Sequence, residues 1–425
     1  MNTLFDTGAT AEASVFSLAG LRRPALLALV AFLLVMKLPT FAHEPVDWDE
    51  RVYLHLSEHM SWSLGSYTTR GSEFDELLPH RVYGAGIFYH PPLIPYLIKI
   101  LSLVFPPLGA AKVLNLALSL LSFLLVYEIG RRLSGPLGAL LSTGLWALCP
   151  LYNIESRLVH LDFPLTVFLL LGIWAFLLGR GPDGSPRLFR WSAVFFALAM
   201  LTKYTAPVWS LVPLALLAVD RGGGRSRRDL IAYLAILAAG LLWWARVAVL
   251  YGTPLPADFV GLRPGREFTT TYLQQIGRRR WYDIWIYFLA ICPLFALYLG
   301  ALASRGIALA RGLAGTGAAQ RLLVGLNAGV ILAAAVASVA NAYANGYWVP
   351  RHVMPVFPVI YITLGAILAA IFRRGDRALN IYLGGALFLT LFFMSASTFI
   401  SMRATESLRT IPAGLFWTGL EGLFY

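Results

Sequence analysis

Apolar runs separated by short polar connections recur along the whole chain, and their length decides what they are. A helix rises about 1.5 Å per residue, so roughly 20 apolar residues cross the hydrocarbon of a bilayer. Runs of this kind lie at residues 24–42, 109–130, 135–152, 160–179, 188–202, 205–219, 230–250, 284–303, 322–341, 353–372 and 378–401. The pattern predicts an all-α polytopic membrane protein with about eleven transmembrane helices. The fifth and sixth runs are short and meet at Lys203-Tyr204. The first follows Arg22-Arg23 and ends in Thr40-Phe41-Ala42, a weak imitation of a signal-peptidase site. An uncleaved anchor is expected, because many spans follow and polar chemistry begins directly after this one.

Arginine placement orients these spans. Arg22-Arg23, Arg131-Arg132 and the clusters at 180–190, 221–228, 305–321 and 373–377 occupy every second connection. Those connections should be cytoplasmic, together with the N-terminus, in an inner (plasma) membrane protein. The Pro-rich segment 91–107 is apolar enough to be a further span, but counting it would turn the later arginine clusters outward. It is therefore expected to be an interfacial or re-entrant helix on the outer face. The reading gives one transmembrane domain over residues 1–402, with a long first extracytoplasmic loop at 43–108 and a second at 251–283. A short outer tail follows at 403–425. Arg278-Arg279-Arg280 breaks the arginine rule in the second loop, where an anionic partner or lipid headgroups would suit it.

Composition narrows the class. With 58% hydrophobic and 13% charged residues among 425, the chain has too few polar groups to cover a soluble globule of this size. The net charge of +12 is spent in the helix-orienting clusters, so no nucleic-acid partner is expected. Cys149 and Cys292 lie in apolar runs without metal-ligand spacing and read as buried thiols. All seven histidines (His43, His55, His59, His80, His90, His160 and His352) fall on the outer side, as do most acidic residues. A transporter would more often carry ionisable groups at mid-membrane on broken helices in two matching halves. Glu128 and Arg246 are exceptions within spans. Glu128 reads as a helix-end partner of Arg131-Arg132, and Arg246 as a snorkelling cation.

Candidate chemistry begins at Val46-Asp47-Trp48-Asp49-Glu50-Arg51-Val52-Tyr53. A carboxylate is the natural general base for an acceptor hydroxyl or amine. The spacing of Asp49-Glu50, Tyr53, Leu56 and Met60 predicts a helix with the acids at its N-terminus, where the dipole favours negative charge. Asp47 or Asp49 could instead simply cap that helix. His55-Leu56-Ser57-Glu58-His59 copies the inverted zinc-protease motif, but nothing downstream resembles the remainder of such an enzyme, and a polar helix face is the expected reading. Tyr89-His90-Pro91-Pro92-Leu93 starts the interfacial helix. Arg157 and Asp162 face an outer hairpin, where they could pair or line a site. Lys203, one of only four lysines, lies between two short spans where an ammonium can meet a lipid phosphate. Arg351-His352 places a cation at another outer mouth, below the aromatic pair Tyr347-Trp348.

These segments, in this order, resemble the polyprenyl-phosphate-sugar-dependent glycosyltransferases of the GT-C fold. That superfamily includes protein O-mannosyltransferases, lipid A aminoarabinose transferases and rhizobial galacturonosyltransferases. Its Asp-Glu-x-x-Tyr pattern running to a Met matches Asp49-Glu50-Arg51-Val52-Tyr53 to Met60. Its Pro-Pro-Leu step matches Pro91-Pro92-Leu93, with His90 where many members carry Lys. Its Arg-to-Asp hairpin matches Arg157 to Asp162-Phe163-Pro164-Leu165, and its Leu-Thr-Lys step matches Leu201-Thr202-Lys203. The late Arg-Tyr-x-x-Pro pattern matches Arg351-His352-Val353-Met354-Pro355, with His for Tyr. The likeness spans residues from about 20 to 375.

The resemblance implies sugar transfer, with inversion, from a polyprenyl-phosphate donor to a glycan, lipid or protein acceptor on the extracytoplasmic face. It implies Asp49 and Glu50 as the catalytic carboxylates, Asp49 being the base and Glu50 and Tyr53 orienting groups. Lys203, Arg157 and Arg351 would surround the phosphate, and Tyr53, His90, Asp162 and His352 would contact sugar or acceptor. Asp47, Asp49 and Glu50 could hold a divalent cation, as in some members. The expectation here is no metal and no cofactor beyond the donor substrate. The alternative is a transporter or flippase of a lipid-linked sugar, which needs no base at Asp49.

Overall fold

The computed structural model describes residues 18–38, 44–45, 48–69, 90–180, 184–203, 205–220, 226–251, 318–345 and 350–373, with short pieces at 294, 298–300, 303, 380–381, 383–392 and 394. Among the described residues all regular structure is helical. The expected span at 284–303, the second outer loop with its three arginines, Asp47 and the 403–425 tail lie largely or wholly outside them.

The first apolar run forms α1 (Leu18–Lys37), and the acidic stretch after it forms α2 (Trp48–His59), with Asp49 and Glu50 in its first turn. Asp49 is therefore inside the helix and is not its cap. The Pro-rich segment gives only α3 (Leu93–Leu101), which buries Ile94, Pro95 and Ile98 and leaves Leu103 and Val104 exposed just beyond it. That short one-sided helix is the shape expected of an interfacial element.

α4 (Pro107–Ala147) is a helical hairpin whose arms meet at Gly135, held at φ 78° and ψ −177°, a conformation essentially confined to glycine. A straight helix would place Ser122 and Trp146 roughly 36 Å apart. Instead the Trp146 indole donates to Ser122 Oγ at 3.2 Å, and the Tyr152 hydroxyl donates to the Ser119 carbonyl at 3.2 Å. The second arm ends before Cys149, and the chain continues as α5 (Pro150–Glu155). The expected run to residue 152 is broken there because Pro150 has no N–H to continue the ladder.

α6 (Asp162–Gly179) and α7 (Pro186–Met200) form the next antiparallel pair, in contact where Gly172 meets Phe196 and Gly179 meets Phe189. A 3-10 turn, Ala206–Ser210, leads into α8 (Leu211–Val219). The run at 230–250 is split into α9 (Arg227–Ala239) and α10 (Leu242–Tyr251). α11 (Ala318–Asn345) packs on α8 through Gly325 and Gly329. After a 3-10 turn at Pro350–Val353, α12 (Val356–Phe372) runs through the centre of the bundle with residues 356–370 all buried. A helix apolar on every side has to be enclosed by others. Its close approach to α4 depends on Gly365, where a side chain would collide with Ser142 and the Gly138 carbonyl, and on Gly138, where one would press on the Gly365 carbonyl at 3.3 Å.

Among the described residues, four helical stretches are long and apolar enough to cross a membrane, at Pro107–Ala147, Asp162–Gly179, Arg227–Val249 and Ala318–Ser338. The arginine-bearing connections gather at one end of the bundle. Arg132, Arg180 and Ala319 line one cavity of about 500 Å³, and Arg373 donates to the Ser134 carbonyl at 2.6 Å. Glu128 pairs with Arg131 at 2.8 Å in this region, as its helix-end position predicts. The residues singled out for chemistry sit on α2 and at the opposite helix ends.

Candidate active site

Four breaks in helical structure deliver the site. The first turn of α2 brings Asp49 and Glu50. The loop between α5 and α6 brings Arg157 and His160, and the first residue of α6 brings Asp162. The interruption after α7 brings Lys203, and the turn before α12 brings Arg351 and His352. The last three have a local reason: Pro150 and Pro164 bracket the second, Pro207 follows the third, and Pro350 and Pro355 bracket the fourth.

The charged groups interlock around Arg351. Its Nη2 donates to Asp49 Oδ2 at 2.5 Å, and its Nε lies 3.8 Å from Asp162 Oδ2. Lys203 Nζ donates to both Asp162 oxygens, at 2.7 and 2.8 Å. Exposure falls in the same order: the Asp49 side chain is 36% exposed and Arg351 18%, while Lys203 is 5% and Asp162 3%. The carboxylate proposed as base is thus the accessible lip of the cluster, and the lysine lies in its floor. Arg157 and Asp162, considered as a pair from sequence, do not pair in the described contacts. Asp162 takes Lys203 and Arg351 instead, and buried Arg157 lies within electrostatic reach of Lys37.

Glu50 is fully buried and its Oε1 accepts from the Val159 backbone N–H at 2.9 Å, tying the start of α2 to the loop that leads into Asp162. The Tyr53 and His90 rings meet edge to face with centroids 5.7 Å apart. Burial, and then the neighbouring Asp49, hold the Tyr53 hydroxyl well above the usual tyrosine range, so it is a neutral donor. Burial lowers His90 and His352 well below the usual histidine range, and Lys203 and Arg351 add to this, so both imidazoles are neutral. Burial also lowers Lys203, against the opposing pull of Asp162. Neutral polar rings around a cation pair suit hydroxyl-rich ligands bearing a phosphate.

Three participants were not singled out from sequence. Glu155 and His160 are buried partners at 2.7 Å, and His160 also touches Arg351. Lys37, at the end of α1, donates to Asn153 Oδ1 at 3.2 Å and to Ser156 Oγ, with its ammonium over the Tyr152 ring. The available signal was a loop bearing four ionisable residues between 155 and 162 at the mouth of a span. The His55-x-x-x-His59 pair stacks on one face of α2, centroids 4.1 Å apart. No group of three or more metal-ligating side chains forms among the described residues.

Fold and site together describe a helical membrane protein with a buried acid–base cluster at one end of its bundle. Comparison places that architecture. The sequence family described as dolichyl-phosphate-mannose-protein mannosyltransferase matches residues 89–249. ArnT from Cupriavidus metallidurans, in a crystal structure with undecaprenyl phosphate, superposes with a TM-score of 0.53 at 18% identity, over 90% of this chain and 71% of that one. The Archaeoglobus fulgidus oligosaccharyltransferase, crystallised with zinc and sulfate, gives a TM-score of 0.56 at 13% identity, over 88% of this chain and 53% of that one. The same organism's AglB, in complex with an inhibitory peptide and a dolichol-phosphate, gives 0.53 at 13% identity, over 90% and 56%. The chain therefore spans about half the length of these oligosaccharyltransferases. No curated protein sequence matches. The chain has the GT-C fold.

Proposed function

We propose that the protein transfers a sugar from a polyprenyl-phosphate donor to an acceptor that enters at the site-bearing end of the bundle, the extracytoplasmic end. The observation that carries this reading is the Arg351 guanidinium set between the accessible carboxylate Asp49 and the buried Lys203–Asp162 pair. The fold shared with ArnT and the family match over residues 89–249 support it.

In the reaction, Asp49 takes the proton of the acceptor hydroxyl or amine. The acceptor atom then forms a bond to the anomeric carbon from the face opposite the phosphate. The bond from that carbon to the phosphate oxygen breaks, and its electron pair leaves on the polyprenyl phosphate. Transfer therefore inverts the anomeric centre. A phosphate leaving group requires charge neutralisation more than a strong acid, and Arg351 and Lys203 supply two cations for it. The planar fork of Arg351 can serve a phosphate oxygen and Asp49 from different edges, which puts leaving group and base on either side of one cation. Tyr53, His90 and His352 offer neutral hydrogen-bonding groups to the sugar. Glu50 holds α2 in register.

Asp49→Asn tests the assignment with a labelled polyprenyl-phosphate sugar and purified full-length protein. Transfer should fall by at least about a thousandfold, within the range that general-base removal covers, while binding of undecaprenyl phosphate persists. Near-normal turnover would remove the base from Asp49. Movement of labelled lipid across vesicles without release of polyprenyl phosphate would replace transfer by transport.

A further inference from the structure

At the end of the bundle away from the candidate active site, three helices leave a cavity of about 500 Å³ between Arg132, Leu133, Leu177, Arg180 and Ala319. That volume lies within the roughly 300–1,000 Å³ of sites for small ligands. Its lining divides by chemistry. Leu133 of α4 and Leu177 of α6 make an apolar wall, Arg132 and Arg180 bring two guanidiniums, and Ala319 in the first turn of α11 adds only a methyl group. The two cations are only partly committed to the protein. Glu128 gives both oxygens to Arg131, at 3.0 and 2.8 Å, which leaves Arg132 Nε 4.0 Å from that carboxylate, beyond hydrogen-bond distance. Arg180 Nε stands 3.4 Å from Asp220 Oδ1 without hydrogen-bond geometry. The Asp220 side chain is 2% exposed and takes no part in the lining, whereas Arg132 is 36% and Arg180 23% exposed, so an anion can reach both cations.

We propose that this cavity holds one anionic phospholipid from the leaflet at the arginine-rich end, its phosphate between Arg132 and Arg180 and its glycerol backbone along Leu133 and Leu177. The inference is independent of the transfer reading, whose residues gather at the other end of the bundle. A soluble anion would use the two cations and nothing on the apolar wall. A phospholipid presents a phosphate and an apolar chain side by side, and so matches both halves of the lining. Depth favours the same occupant. Arg180 directly follows Gly179, the last residue of the apolar span α6, and Arg132 stands just before the α4 turn at Gly135, so both cations lie where spans end and headgroups begin. A guanidinium fork takes a phosphate through two parallel hydrogen bonds, and basic pockets between membrane helices suit anionic headgroups for that reason. A zwitterionic headgroup brings its own cation, which the two arginines repel. A lipid seated there touches α4, α6 and α11 at once.

Native mass spectrometry of the full-length protein in a non-ionic detergent, titrated with phosphatidylglycerol, reads the site directly. A single phosphatidylglycerol should bind ahead of any others, and phosphatidylcholine about tenfold more weakly. Arg132→Gln should weaken phosphatidylglycerol binding about fivefold, the worth of one basic residue beside an anionic lipid. Ala319→Trp fills the cavity without changing its charge and should weaken binding at least as much. Arg190→Gln removes the same charge from outside the cavity, where Arg190 is bonded to Asp229 at 2.8 Å, and should stay within about twofold of the parent. Equal binding of the two lipids, or equal losses in Arg132→Gln and Arg190→Gln, overturns the proposal. So does displacement of the lipid by millimolar inorganic phosphate at constant ionic strength, which would make the occupant a soluble anion. Arg132→Gln alters an exposed side chain, so it decides the question even where the tryptophan variant fails to fold.

Discussion

Lys203 and Asp162 are opposite charges buried side by side, and separating them measures how far the site depends on mutual neutralisation. Lys203→Met keeps the aliphatic stem and removes the ammonium that bridges both Asp162 oxygens at 2.7 and 2.8 Å. Asp162 would then retain Arg351 at 3.8 Å as a partner. Asp162→Asn leaves the more awkward remainder, because Lys203 and Arg351 lose the carboxylate between them. Removing one member of a buried pair costs about 3–5 kcal/mol, since the other charge stays out of water without its counterion. Lys203→Met should fall near the lower figure and Asp162→Asn near the upper. The double variant leaves neither of the two charges behind and should be about 2 kcal/mol less destabilised than the sum of the singles. Thermal unfolding in one detergent at one pH, followed by tryptophan fluorescence, reads the four proteins side by side. A loss of this size should lower Tm by roughly 5 °C or more. Single variants within about 1 °C of the parent, or a double variant whose loss equals the sum, would refute the coupling drawn from these distances.

Other outcomes follow from the same geometry. In the native protein His90 and His352 stay neutral, held below the usual range by burial and by Lys203 and Arg351. The unfolded chain takes up protons there as pH falls through about 6.5, so the unfolded state binds more protons and stability decreases on acidification. Tm should drop between pH 7 and pH 5, with a shallower slope in the His90→Gln/His352→Gln protein; an unchanged slope counts against these two residues. Glu50→Ala strands the buried Val159 N–H and should cost about 1–3 kcal/mol, read as a lower Tm together with slower transfer. Unaltered stability would mean that the tether from α2 to the loop is not needed. Gly135→Ala forces a side chain into a glycine-only conformation at the α4 hairpin and should cost about 1–3 kcal/mol. A variant as stable as the parent would show that the turn relaxes freely.

Much of this protein was readable along the chain, because the relevant physics is local. Run length against bilayer thickness predicted the helices of α4, α6, α11 and α12, and the prolines of segment 91–107 foretold a short helix there in place of a full span. Apolar spacing after Asp49-Glu50 predicted α2. Alternating arginine clusters anticipated that Arg132, Arg180 and Arg373 would lie toward one end of the bundle and the candidate chemistry toward the other. The pattern also singled out Asp49, Lys203, Asp162 and Arg351 as chemistry-bearing positions. Which of them touch was decided only by packing. Asp162 meets Lys203 from 41 residues away and Arg351 meets Asp49 from 302 residues away, and these distances are set by how α2, α6, α7 and α12 approach one another. The small residues that permit those approaches, such as Gly138 against Gly365, carry no sign of their partners. The buried Glu155–His160 pair and the Lys37 contacts were illegible for the same reason. A charged residue near a helix end costs little if it reaches water and several kcal/mol if it does not, and only the tertiary structure determines which of those holds.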